Sequence, residues 1–168
     1  MNQLGADVQQ DMERLGPAFD QETLWQEYLG ISEFSLALWN AQRIAYGAIY
    51  CAYENFIQRA VAVGRKDESY RAKRFADLCN DFAALFDNAL RQESLEDSEV
   101  EIARLVRNAL THAGGRVSEK LRSKQHCISV EGDELHIMPS DTRKLFDLLK
   151  VRATRIAETA ANLATFAI

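Results

Sequence analysis

The chain has 168 residues and a net charge of −5; 47% of its residues are hydrophobic, and only two are proline and eight glycine. That length supports one domain with a substantial core and excludes two ordinary ones, so we expect a single domain over residues 1–168. The acidic balance argues against a general nucleic-acid binder, because such binding comes mostly from neutralising phosphates.

The sequence also indicates a cytoplasmic protein that does not enter a membrane. Its three cysteines, Cys51, Cys79 and Cys127, lack metal-ligand spacing and look like small core residues with reduced thiols. The N-terminus has no basic-then-apolar signal segment, and the longest apolar run, residues 44–53, is about half of a bilayer span. No sequence pattern indicates a metal or another cofactor.

The first half of the chain is predicted to be helical. Residues 4–15 and 20–29 form two short helices in an N-terminal extension, residues 1–31, that precedes the core, residues 32–168. A long helix runs from Ser32 to Gly64, and a further helix covers about 67–90. The predicted core stripe of the long helix is Phe34, Leu38, Ala41, Ala45, Ala48, Ala52, Phe56 and Ala60. The core side of the next helix is Phe75, Leu78, Phe82, Leu85, Phe86 and Ala89.

A capping-box start at Ser98 and a Gly114-Gly115 stop define the next predicted helix. At about 100° per residue, its apolar side gathers Ile102, Ala103, Val106, Ala109, Leu110 and Ala113. Its polar side gathers Glu101, Arg104, Arg107, Asn108, Thr111 and His112. By this pattern His112 is not a core histidine.

Beyond the glycines the hydrophobic period changes. Residues 127–130 and 134–138 alternate polar and apolar around a Glu-Gly-Asp turn, which predicts a β-hairpin that Pro139 closes. Ser140 or Asp141 then caps a last helix. Its apolar side is Leu145, Leu148, Leu149, Ile156, Leu163 and Phe166. The predicted fold is all-α, an up-and-down helical bundle with one small β-hairpin before the last helix.

The third predicted helix of the core, which ends at the glycines, carries on its polar side three residue types suited to phosphodiester chemistry. Arg107 is a permanent cation, Asn108 a neutral amide, and His112 a side chain that titrates near neutral pH. Arg107 and His112 lie about 140° apart around an ideal helix, which is poor geometry for gripping one phosphate. Two facing copies would bring the groups together, so we expect a homodimer. The alternative is a surface arginine and an exposed histidine near a helix C-terminus, where the dipole favours cations.

The spacing R-N-x-x-x-H near the end of a helix resembles the signature of the HEPN superfamily (higher eukaryotes and prokaryotes nucleotide-binding). Arg107, Asn108 and His112 match its three specified positions, and the aromatic-rich helix, glycine stop, hairpin and closing helix extend the resemblance over roughly residues 33–166. The resemblance implies a ribonuclease of the kind found among toxins of toxin–antitoxin pairs and abortive-infection (anti-phage defence) effectors, which cut tRNA, mRNA or invading RNA. In a subset of such toxins the motif continues H-x-Tyr, and an antitoxin modifies that tyrosine. Gly114 stands at this place, so that form of control is not expected.

Basic residues cluster beside the motif. Residues 104–126 hold six basic residues and one acidic residue, a local balance of +5. We expect Arg104, Arg116 and Lys120 to bind RNA phosphates. The alternative is a solvated helix surface with acids nearby in space, and for Arg104 a salt bridge to Glu101.

Glu54 interrupts the aromatic-rich part of the long helix. A carboxylate among apolar side chains needs a partner, and Arg107 is the partner that we expect, with Glu54 orienting it. The simpler alternative is a solvated Glu54 at the edge of the helix.

Taken together, the residues and the resemblance favour a metal-independent endoribonuclease. Arg107, Asn108 and His112 would be catalytic, RNA would be the substrate, and an antitoxin or another regulatory protein is an expected partner. A non-catalytic HEPN-like module that binds RNA, nucleotide or protein is the second interpretation, and the negative net charge favours it somewhat. A purely structural dimeric bundle is the third.

Overall fold

A computed structural model gives the fold and describes the backbone of residues 32–165 and the side chains of residues 36–162. The predicted short helices over 4–15 and 20–29, and the side chains of Phe34, Leu163 and Phe166, lie outside these ranges. The chain divides into two compact units, residues 1–40 and 41–168, and of the first unit only the helical residues 32–40 are described. The expectation of a single domain stays a prediction.

The described part of the chain is mainly helical, with a small two-stranded antiparallel sheet near the C-terminus, as the sequence predicted. The helices are α1 (Ser32–Arg65), α2 (Phe75–Leu85), α3 (Asn88–Arg91), α4 (Ser98–His112), α5 (Glu119–Arg122) and α6 (Pro139–Thr165). The strands are β1 (Ser129–Glu131) and β2 (Glu134–His136). None of the described helices combines the length and the apolar character that crossing a membrane requires.

The core face of α1 is made by large side chains. The predicted stripe is wrong at three of its alanines, whereas Phe56 and Ala60 do pack against the core. The buried residues of α1 are Tyr46, Tyr50, Tyr53, Ile57, Val61 and Ala62. Ala41, Ala48 and Ala52 are exposed. Both stripes repeat every three or four residues, but tyrosine and isoleucine remove far more apolar area from water than alanine, and that difference decides which stripe faces the core.

The segment predicted as one helix over 67–90 is a loop followed by two helices, α2 and α3. Residues 66–74 are not helical, because Tyr70 is buried and its hydroxyl donates to Asp81 at 2.8 Å, which fixes the loop against α2. Helix α2 begins at Phe75 and ends at Leu85. Asp87 then caps α3 by accepting from the Leu90 amide at 2.6 Å.

A π-helical turn over Gln92–Glu96 links α3 to α4 and is held by contacts with two other helices. The Tyr53 hydroxyl donates to the Ser94 carbonyl at 2.8 Å, and Leu95 is buried. Glu93 forms ion pairs with Arg152 and with Arg155, both on α6. This turn therefore joins α1 and α6 to the start of the motif helix.

Helix α4 ends where the sequence predicted, but its first cap is different. Asp97, not Ser98, is the N-cap, and its carboxylate accepts from the Glu99 amide at 2.9 Å. At the other end Gly114 takes a left-handed φ of +62°. Ala103, Val106 and Ala109 are buried as expected, and Val100, which was not on the predicted apolar side, is buried too, whereas Ala113 is exposed.

The predicted hairpin forms, but its strands are three residues each, and Glu131 belongs to β1 rather than to the turn. Ser129 pairs with His136 and Glu131 with Glu134, and Gly132 supplies a left-handed φ of +59°. The chain that leaves α4 lies along the other edge of β2, because the Leu135 amide donates to the Gly115 carbonyl at 2.9 Å. The hairpin thus anchors the turn that follows the motif.

Helix α6 begins at Pro139, so the proline is the first helical residue and neither Ser140 nor Asp141 is the N-cap. Proline suits this position because the first helical amide has no partner within the helix. The Asp141 carboxylate reaches back and accepts from the Met138 amide at 3.0 Å. Leu145, Leu149 and Ile156 are buried, in agreement with the predicted apolar side. Of the cysteines only Cys79 is a buried core residue, while Cys51 is half-buried and Cys127 exposed.

Candidate functional site

The expected contact between Glu54 and Arg107 is present. The Arg107 Nη2 donates to the Glu54 carboxylate across the gap between α1 and α4, and the two side chains are 16% and 24% exposed. Partial burial makes such a pair stronger than a surface salt bridge and makes the loss of either partner costly. Glu54 therefore fixes one edge of the guanidinium and neutralises much of its charge.

The aromatic ring of Tyr50 lies against the Arg107 guanidinium. The Arg107 Cζ lies 5.5 Å from the centroid of the Tyr50 ring, within the range of a cation–π interaction. Burial raises the pKa of Tyr50, and the neighbouring Glu54 carboxylate raises it further, so Tyr50 remains a neutral phenol. The Nε of Arg107 is buried and has no hydrogen-bond partner among the described residues.

Asn108 contacts Arg107 and not His112. Its Oδ1 accepts from the Arg107 Nη1 at 3.0 Å. This contact makes Asn108 a second restraint on the guanidinium, and the donor end of the amide is left for another acceptor.

His112 occupies the last position of α4 and is exposed. It makes no hydrogen bond or ion pair within the described part of the chain. An accessible imidazole at a helix C-terminus is able to exchange a proton with a bound molecule.

The turn after His112 is held from three directions. The Gly115 amide donates to the Ala109 carbonyl at 2.9 Å, the Gly115 carbonyl accepts from β2, and Arg43 of α1 donates to the Gly114 carbonyl. A Cβ on Gly115 would lie 2.7 Å from the Arg43 Cζ, so this glycine leaves the space that the guanidinium fills. A Cβ on Gly114 would meet nothing within 4 Å. Gly114 is therefore needed for its left-handed backbone angle alone. Gly115 is needed both for its backbone angle and because a side chain there would collide with Arg43.

Arg104 lies one turn before Asn108 but packs against α2. Its Cζ is 4.4 Å from the Phe75 ring centroid, and its Nε is buried without a hydrogen-bond partner among the described residues. The alternative salt bridge to Glu101 is not formed. Arg104 is thus partly buried beside the site, and only part of its guanidinium could meet a phosphate.

Lys120 is already paired. Its Nζ lies 2.9 Å from the Glu101 carboxylate, and Lys124 binds the other oxygen of the same group at 2.5 Å. These two ammonium groups lower the pKa of Glu101 to about 2. Arg116, in contrast, is exposed and has no ion pair within the described residues. The predicted basic rim is therefore partly neutralised, and Arg116 is its most accessible member.

Sequence reasoning missed two residues of this region, Arg43 and Tyr50. With Glu54 they occupy positions i, i+7 and i+11 of α1, which places them on one face of the helix. Once Glu54 is assigned to Arg107, that spacing indicates that the same face follows α4 toward its C-terminus. This spacing is visible in the sequence, but the alanine stripe predicted a different core face for α1.

In comparisons with known proteins, no family model, no curated protein and no solved structure matches the chain. The function therefore rests on the residues and their geometry.

Proposed function

We propose that the protein is a metal-independent endoribonuclease that acts as a homodimer. The ribose 2′-hydroxyl attacks the adjacent phosphorus in line, the bond from phosphorus to the 5′-oxygen breaks, and a 2′,3′-cyclic phosphate forms. His112 removes the 2′-hydroxyl proton or protonates the departing 5′-oxygen. Arg107 stabilises the charge that develops on the equatorial oxygens.

The observation that carries the proposal is the contrast between a restrained arginine and a free histidine on one helix face. Glu54, Tyr50 and Asn108 hold the Arg107 guanidinium in one orientation. A pre-oriented guanidinium loses little entropy when it binds a phosphate. His112 is left exposed a turn and a half further along.

The proposed dimer follows from the geometry of a single copy. Arg107 and His112 are five residues apart, so in one chain they point to different edges of the polar face. Two copies related by a two-fold axis place two guanidinium and two imidazole groups in one cleft. The base and the acid would then come from different subunits of an HEPN-like, up-and-down helical bundle.

The proposed biology is that of a toxin or an abortive-infection effector in the cytoplasm. RNA is the substrate, and an antitoxin or another regulatory protein restrains the activity. Arg116 is the exposed cation best placed to bind a neighbouring phosphate, with smaller contributions from Arg104 and Lys120 because both already have partners.

The test is cleavage of a short single-stranded RNA in the presence of a chelator. We expect products with 2′,3′-cyclic phosphate ends, and an RNA with one 2′-deoxy sugar at the cut site should resist. His112→Ala should lower the rate by about 10²–10⁴-fold, and Arg107→Ala by about 10²–10³-fold. Equal cleavage of the deoxy substrate would exclude this mechanism.

Matched variants separate a catalytic role from a general loss of histidine or charge. His136→Gln removes a histidine on β2, and Arg59→Ala removes an exposed arginine of α1. Both should retain wild-type cleavage, and these two variants and His112→Ala should unfold near the wild-type temperature. Arg107→Ala should unfold at a lower temperature because Glu54 loses its partner, so its cleavage is measured well below that temperature. Growth arrest on expression of the wild type, but not of His112→Ala, provides the same comparison in a bacterium.

One observation favours a non-catalytic RNA-binding module as the second candidate. Glu54 neutralises Arg107, and Glu101 neutralises Lys120 and Lys124, which lowers the positive charge of the proposed RNA face. In that case RNA should bind with a steep salt dependence and remain intact. Cleavage by the wild type but not by His112→Ala would exclude this candidate.

A further inference from the structure

A cavity of about 210 Å³ lies on a different part of the molecule from Arg107 and His112. It is bounded by α1, by the first half of α4, by the segment that precedes β1 and by the start of α6. At about 30 Å³ for each water in the liquid, this space corresponds to roughly seven water molecules. It is large enough for a molecule with one small ring.

The walls of the cavity are mostly apolar. Ile102 of α4 faces Leu145 and Leu148 of α6 across it. Water between such walls is easily displaced by an apolar group, and the displacement is favourable. The body of a ligand in this cavity is therefore apolar.

One end of the cavity is polar and incompletely satisfied. Asp141 lines it and is the one buried carboxylate among the described residues, yet it has no ion-pair partner within them. One of its oxygens, Oδ2, accepts from the Met138 amide, as a helix cap does. That hydrogen bond stabilises the buried carboxylate, but the Oδ1 atom of Asp141 has no partner among the described residues.

Tyr46 provides a second unsatisfied group at the same end. It is 3% exposed, it lines the cavity, and its hydroxyl makes no hydrogen bond with the described residues. Asp141 is close enough to raise the pKa of Tyr46, in addition to the larger effect of burial. Neither the Tyr46 hydroxyl nor the second Asp141 oxygen is among the fully enclosed polar atoms that lack a partner in the described residues, so both oxygens remain accessible to a ligand.

The chemistry of that partner follows from the two groups. Asp141 accepts hydrogen bonds and attracts a positive charge, and the Tyr46 oxygen also accepts. Lys144 and Glu99 line the cavity with opposite charges that offset each other, so the Asp141 charge dominates. No set of three or more His, Cys, Asp or Glu side chains suited to a metal is present in the described residues, which disfavours a metal ion.

We propose that this cavity binds a small organic cation, an amidinium or ammonium group attached to a body of about one ring. The cationic head donates to Asp141 and Tyr46, and the ring lies between Ile102 and Leu145. This site is independent of the proposed ribonuclease activity, because it shares no residue with Arg107, Asn108 or His112.

Benzamidine and benzamide form a matched pair of probes. They have the same ring and nearly the same shape, but only benzamidine carries a positive charge and two amino groups at neutral pH. We expect benzamidine to bind to the intact wild-type chain about tenfold or more tightly than benzamide, since a hydrogen bond to a charged group is worth more than one between neutral groups. Calorimetry gives the affinities, and amide chemical shifts should change around Ile102 and Leu145.

Two variants test the polar end. Tyr46→Phe removes one hydroxyl and should weaken benzamidine binding about fivefold. Asp141→Asn should weaken it about tenfold or more, and because it also alters a helix cap, its thermal unfolding is measured alongside. Tyr53→Phe is the control, because it removes a buried hydroxyl that bonds Ser94 outside the cavity.

Equal binding of the two probes, no binding of benzamidine, or shifts located elsewhere on the protein would each overturn the proposal. So would a Tyr46→Phe variant that binds as tightly as the wild type. All of these measurements are made without RNA, so they stand or fall separately from the cleavage experiments.

Discussion

The two ends of α4 carry similar numbers of charged residues but use them differently. At the N-terminal end Glu101 is bound by Lys120 and Lys124, which follow it by about twenty residues and belong to or adjoin the next short helix. At the C-terminal end Arg107 is bound by Glu54, and the following turn by Arg43, from a helix more than fifty residues earlier in the chain. The N-terminal end of α4 is therefore bound by residues about twenty positions away in the sequence, and the C-terminal end by a helix more than fifty positions away.

That difference supports the proposed location of the ribonuclease site. At the N-terminal end Glu101 and the two lysines satisfy each other's charges. At the C-terminal end distant contacts restrain Arg107 and the glycine turn, while His112 stays exposed. Long-range restraint around an accessible titrating group is the arrangement that a site needs, because orientation is fixed before a ligand arrives.

The largest expected effect is at the C-terminal turn. Gly115→Ala places a methyl group on the Arg43 guanidinium and also strains a backbone with a φ of +94°. We expect a loss of about 2–3 kcal/mol in the free energy of unfolding, from the left-handed backbone and the displaced hydrogen bond. Chemical denaturation measures it.

Gly114→Ala is the matched control, since its Cβ would meet nothing within 4 Å and only the backbone strain applies. It should cost about 1 kcal/mol. In an Arg43→Ala background, Gly115→Ala should cost less than in the wild type, because the clash has been removed. Equal costs at the two glycines would mean that the guanidinium does not occupy the space beside Gly115.

The second effect concerns the ion pair between α1 and α4. Glu54→Gln leaves the partly buried Arg107 guanidinium without its counter-charge, and we expect a loss of about 1–2 kcal/mol, below that of a fully buried pair because both groups retain some solvent. Denaturation in urea measures it. The loss should shrink in an Arg107→Met background. A loss that is unchanged there would assign the effect to a different partner of Glu54.

The sequence predicted the Glu54 pair because a carboxylate within an apolar stretch requires a partner. It also predicted the end of α4 and the hairpin, where glycine, alternation and turn residues act locally. The end of α4 and the hairpin depend on residues that are close in the sequence. The Glu54 pair follows from the general rule that a buried carboxylate needs a partner.

The features that it missed depend on tertiary contacts. The loop over 66–74 is fixed by Tyr70 on Asp81, and the core face of α1 by the size of its tyrosines, although two stripes had the same period. Arg43 binds a turn that lies 71 residues later in the chain. No local sequence pattern indicates that Gly115 must lack a side chain to make room for the Arg43 guanidinium. Such contacts are visible only when the helices have been placed.

The smallest expected effect is at the N-terminal end of α4. Glu101→Gln removes the shared partner of Lys120 and Lys124, whose side chains are 58% and 35% exposed, so the loss at neutral pH should be below about 1 kcal/mol. It should depend on pH. Lys124 and Lys120 hold the Glu101 pKa near 2, below its ordinary value of 4.5, so this stabilisation is complete above about pH 4.5 and disappears as the pH falls toward 2.

Thermal unfolding of the wild type and Glu101→Gln across this range measures the difference directly. The two melting temperatures should converge between pH 4.5 and 2, because protonation removes from the wild type what the substitution has already removed. Glu54→Gln serves as the reference from the other end of the helix, with the larger loss at neutral pH. If Glu101→Gln proved the more destabilising of the two at pH 7, the N-terminal end would hold the helix in place, and the restraint around His112 would be secondary to it.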